Sequence, residues 1–132
     1  MTGLKERRAR VAIEEGWLDK RNAELSELCG GAELAYTIDW ESFAGDEKGL
    51  NWLEHNGPQQ VACACRVVGQ DAVGKQALKE GVRAVQLKNC ASPDEKSLSF
   101  EDGVLTLVCA FAQSPGGRFK DREIRDLLES KL

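Results

Sequence analysis

The residues of this chain whose types could do chemistry are its five cysteines, its single histidine and a pair of closely spaced carboxylates. Cys63 and Cys65 alternate within Val61-Ala62-Cys63-Ala64-Cys65. On a strand both thiols would project to one face and could share a metal, or a redox step, with His55. A zinc site needs about four ligands, so Cys90 and Cys109 would have to join them. The C-x-C pair followed by isolated cysteines is not the C-x₂-C pairing of a zinc knuckle or ribbon, and no polar second shell accompanies it. Cys109 lies in the apolar run Leu105 to Phe111, where a free thiol packs as a small hydrophobe. Buried structural thiols, with no resident metal or cofactor, are the expectation.

Asp39 and Glu41 share an alternating segment and would project to one face beside Glu33 and Thr37. Acid–base work needs two carboxyls whose environments push their pKa values apart. Lys88, in Gln86-Leu87-Lys88, loosely imitates the lysine of a metal-dependent nuclease. A glutamine holds the acid position there, and the acids between residues 33 and 60 face Lys48 alone, a balance that repels phosphate. His55 ends Trp52-Leu53-Glu54-His55, where the helix dipole favours it whatever its task, and no G-x-S-x-G elbow accompanies it. Gly69 to Lys75 lacks the spacing and the terminal hydroxyl of a P-loop. Ser114-Pro115-Gly116-Gly117-Arg118 reads as a flexible turn before a helix.

Positioning any of these falls to the elements. Residues 4–29 favour helix, divided near Gly16 and stopped by Gly30-Gly31. Glu33 to Trp40 alternates as a strand with Leu34, Tyr36, Ile38 and Trp40 inward, which places Trp40 in the core. Lys48 to Asn56 reads as a short helix stopped by Asn56-Gly57-Pro58. Residues 60–68 fit either element, because Val61, Cys63, Cys65 and Val67 alternate while Pro58 could open a helix. Strand is the expected reading, since Val67-Val68 then Gly69-Gln70-Asp71 resembles a strand followed by a helix start. Asp71 caps a helix to Glu80, Val82 to Asn89 is a strand, and Asp102-Gly103 turns a hairpin between Leu98–Phe100 and Val104–Phe111. An amphipathic helix closes the chain over Phe119 to Leu132. The expected class is α+β: a single domain over residues 1–132, with a helical segment at 1–30 and a sheet-containing core at 33–132. Its sheet would be five-stranded and mainly antiparallel, packed with N-terminal, middle and C-terminal helices.

A chain of 132 residues with 42% hydrophobic and 30% charged content can bury a genuine core without staples. No stretch is apolar enough to span a membrane, and Met1 to Arg10 lacks the apolar region of a secretory signal. The odd cysteine number fits a reducing, cytoplasmic setting. A net charge of −4 speaks against nucleic acid as the main partner. Lys5, Arg7, Arg8 and Arg10 nevertheless give the first ten residues a local charge of +3, leaving −7 elsewhere. That basic helix is also the one place a nucleic-acid backbone could touch, although Glu6, Glu14 and Glu15 dilute it. Each catalytic constellation lacks a required member. The expected function is a cytoplasmic protein-binding or regulatory module, self-association and a homodimer included, acting through helix or sheet surfaces. Trp17, Trp52, Arg7, Arg8 and Arg10 are the candidate interface residues. The alternative is an enzyme or small-ligand-binding domain built on Asp39, Glu41 and Lys88, or on Cys63, Cys65 and His55.

Overall fold

Two N-terminal helices, α1 (Leu4–Glu15) and α2 (Leu18–Leu28), break beside Gly16 and end at Gly30-Gly31, where both glycines adopt positive φ. The structure, a computed structural model, describes residues 3–132. Strand β1 covers only Tyr36–Ile38, shorter than the alternation predicts. Asp39 ends it by accepting the Ser42 amide at 3.3 Å, which starts a 3-10 turn over Trp40–Phe43. Helices α3 (Glu47–Asn56), α4 (Pro58–Val68) and α5 (Ala72–Gly81) follow, then β2 (Ala84–Asn89). Asp46 and Asp71 cap α3 and α5 by accepting the Gly49 and Gly74 amides at 2.9 and 2.7 Å. A 3-10 turn at Pro93–Glu95 leads to β3 (Ser97–Glu101), β4 (Val104–Cys109) and α6 (Asp121–Lys131).

The sheet has four strands in the order β1-β2-β4-β3, with β1/β2 and β2/β4 parallel and only β3/β4 antiparallel. This overturns the five-stranded, mainly antiparallel expectation. The cause is residues 60–68, which form helix α4 rather than a strand. Pro58 occupies the first turn, where its missing N–H costs nothing. Val61, Ala64, Cys65 and Val68 recur at helical spacing, and Ala62 is buried too. A segment apolar on so many sides alternates by accident. With α4 helical, the chain returns from β1 to β2 through a long crossover, which delivers parallel strands.

Alternation along the strands buries one sheet face. Tyr36, Ile38, Val85, Leu87, Leu105, Leu107 and Phe100 join Leu25, Leu53, Val61, Ile124 and Leu128 in one hydrophobic cluster. The opposite face carries Thr37, Gln86, Thr106 and Ser99 in register across all four strands, with Lys88 beside them. These side chains are exposed, Thr106 excepted, which is half-buried. Parallel sheets are ordinarily covered on both faces; here hydroxyl and amide side chains let one face meet water. The hairpin turn is as expected, with Asp102 at φ 52° and Gly103 at φ 79°. Gly74 is required by packing, because a Cβ there would collide with the Val68 carbonyl oxygen.

Asn89, at the end of β2, binds the carboxyl ends of the strands together. Its amide nitrogen donates to the Ser42 carbonyl at 3.1 Å and to Asp46 Oδ2 at 2.9 Å, and its Oδ1 accepts the Phe111 N–H at 3.3 Å. Truncation would strand the buried Phe111 N–H, at about 1–3 kcal/mol, and would also remove the two part-buried bonds to Ser42 and Asp46. Asn89→Ala should therefore lower unfolding free energy by about 2–4 kcal/mol in urea titration. Removing the exposed α5 cap by Asp71→Ala should cost only about 1 kcal/mol.

Candidate functional site

Open α/β sheets bind ligands beyond the carboxyl ends of their strands, and polar side chains do converge there. Asn56, fully buried at the end of α3, donates to the Phe111 carbonyl at 3.0 Å. Its Oδ1 accepts from Ser114 Oγ at 3.1 Å and from an Arg118 terminal nitrogen at 3.3 Å. The same Arg118 nitrogen donates to His55 Nε2 at 2.9 Å. A guanidinium only donates, so Nε2 accepts and Nδ1 holds the hydrogen given to Gln59 Oε1 at 2.9 Å. Gln60 donates to the His55 carbonyl and accepts the Asp121 amide. Both nitrogens of His55 are thus spent within the protein, and Ser114 is hydrogen-bonded to an amide rather than to a base. The network pins the 110–118 loop onto the α3–α4 corner, and Arg118 Nε is buried there without a hydrogen-bond partner.

The expected chemical clusters do not assemble. Cys63 and Cys65 lie two positions apart on a helix and so point to different sides. Cys65 instead neighbours Cys29 at the end of α2, and the two thiols bias each other's ionisation. The neighbouring Cys65 lowers the Cys29 thiol, while Cys29 and burial together push Cys65 well up. His55 is engaged by Arg118, apart from both. Asp39 caps the 3-10 turn, Glu41 is exposed within that turn, and Lys88 stands on the open sheet face. Among the described residues, no three His, Cys, Asp or Glu side chains gather as a metal-holding group.

The candidate interface residues separate by setting. Arg7 and Arg8 are exposed on α1 between Leu4 and Val11, which are 53% and 47% exposed. At helical spacing these four form one outward stripe. Ile13, on the opposite side, is the one buried side chain of α1. Arg10 pairs with Glu14 at 3.5 Å and stacks over the Trp40 ring at 4.6 Å. Trp40, expected in the core, is half-buried: it packs against the core and carries Arg10 over its ring. With Arg7, Phe43 and Leu50 it lines a cleft of about 540 Å³ between α1 and the 3-10 turn. Trp17 packs half-buried against the core, whereas Trp52 stands exposed on α3, edge-on to His55. The sequence readings missed Leu4, Val11 and the outlying Val73, 81% exposed on α5; the i, i+7 spacing of Leu4 and Val11 was the available signal for the first two.

Burial pushes the Cys109 thiol up to about 12, because a thiolate would be desolvated inside the sheet. Cys109 should therefore resist iodoacetamide in the native protein at pH 8 and react fully in denaturant, as read by peptide mass spectrometry. Modification of native Cys109 at the denatured rate would contradict this packing.

No family model, characterised protein or solved structure matches the chain.

Proposed function

We propose that this chain is a protein-binding module, not an enzyme, whose contact surface is the outward face of α1. The observation that carries the reading is the pairing of apolar Leu4 and Val11 with Arg7 and Arg8 on one exposed stripe. An exposed apolar stripe is ordinarily withdrawn into a fold or a contact. Cations flanking apolar anchors suit an acidic, partly apolar protein surface better than a phosphate backbone, which needs denser charge. The sheet face, the other candidate surface, offers hydroxyls and amides with Val104 and Val108 half-buried, and no large exposed anchor. Among the described residues, no hydrogen bond or ion pair joins Asp39, Glu41 and Lys88, or Cys63, Cys65 and His55, the two sets on which the enzyme alternative would rest. Among the described residues, no helix is long and apolar enough to cross a membrane.

A photo-reactive amino acid placed at Val11 should give protein adducts in host cells, whereas one at exposed Arg122 on α6 should not. Replacing Leu4 and Arg8 by serine in the Val11-labelled chain should reduce those adducts at least about tenfold, since lost burial of about 1.4 kcal/mol is a factor of ten. Equal adducts from both sites, or none from position 11, would overturn the reading.

A further inference from the structure

A second surface on the same chain complements α1 in charge. It is a groove of about 880 Å³ between α5, the β3–β4 hairpin and the end of α6. Val73 and Leu132 supply exposed apolar lining, and Glu80, Glu101 and Asp102 supply carboxylates. Lys131 is the one cation of the lining and is already paired with Glu101 at 3.5 Å. Val73, at 81% exposed, is the most exposed of the large hydrophobic side chains described. An α-helix with side chains is about 10–12 Å across, and the groove is open and elongated along α5.

We infer that the partner of α1 is the acidic groove of a second copy of this chain. The inference rests on the reading of α1 as the contact surface and supplies its occupant. Leu4 and Val11 would cover Val73 and Leu132, while Arg7 and Arg8 meet Glu80, Glu101 and Asp102. The charge division, +3 over the first ten residues and −7 elsewhere, favours this orientation over an α1–α1 contact, which would face cation with cation. The two surfaces lie at opposite ends of the sheet. Arg7 and Arg10 line the cleft with Trp40, just beyond the carboxyl end of β1, whereas Gly103 immediately precedes β4 and Gly81 ends α5, three residues before β2 starts. Copies therefore join head to tail through unlike surfaces, and such a contact propagates until a rotation closes it into a ring.

Light scattering after size exclusion tests this with charge reversals. The wild-type mass should climb above 14.5 kDa with rising concentration. It should return to monomer when salt rises from about 0.1 to about 1 M, as the screening length falls from about 10 to about 3 Å. Arg7→Glu/Arg8→Glu and Glu80→Arg/Glu101→Arg, all at exposed positions, should each stay monomeric alone and associate when mixed. Val73→Asp should abolish association without altering the circular dichroism spectrum, which separates lost contact from lost fold. A mass fixed at 14.5 kDa at every concentration, or association indifferent to reversal of the groove, overturns the inference. If position 11 then still cross-links to a different protein, only this choice of partner falls; if it cross-links to nothing, the α1 reading falls with it.

Discussion

One-sided burial of the sheet governs the rest of this structure. Only the face carrying Tyr36, Val85, Leu87, Leu105 and Leu107 is apolar, so the helical residues of the core gather against that face alone. Helix α1 meets α2 and α3 rather than a strand, and it reaches the core through Ile13 with half-buried Ala9 beside it. An isolated helix of twelve residues is marginal in water, so its order depends on that narrow seam. Its outer stripe has no intramolecular cover. The same constraint that builds the core leaves α1 as the element with most to gain from a partner.

The carboxyl ends of β1, β2 and β4 show the opposite condition. In a ligand-binding α/β protein this region stays open for substrate. Here the chain fills it with its own 3-10 turn and 110–118 loop, held by Asn89 and Asn56. Lys96 adds bonds to the carbonyls of Gly116 and Arg118 and lies over the Phe119 ring at 5.0 Å. Buried amides that find all their partners rigidify a site. His55, with both ring nitrogens hydrogen-bonded to Gln59 and Arg118, belongs to that network.

Local signals in the sequence identified the elements that have local causes. Asp71 caps α5, Asp102-Gly103 makes the hairpin, and Ile124 and Leu128 bury one side of α6. Strand direction was not legible, because it hinges on whether residues 60–68 cross over as helix. Val61-Ala62-Cys63-Ala64-Cys65 satisfies period two and period 3.6 alike, and only tertiary burial on several sides decides between them. Trp40 reaches the core only in part, because Asp39 turns the chain one residue earlier and leaves one side of the ring under Arg10. Arg7 and Arg8 were visible as a basic cluster, but their pairing with Leu4 and Val11 needed the helix face. The acidic groove joins residues from three distant segments and has no sequence signature.

Amide hydrogen exchange read segment by segment tests the central claim most directly, since it reports cover over α1 without altering a residue. Exchange across residues 5–15 should slow as chain concentration rises, together with the α5 and hairpin residues of the groove, while buried α4 keeps one rate throughout. An α1 that exchanges equally fast in dilute and concentrated protein would contradict its cover by a second copy.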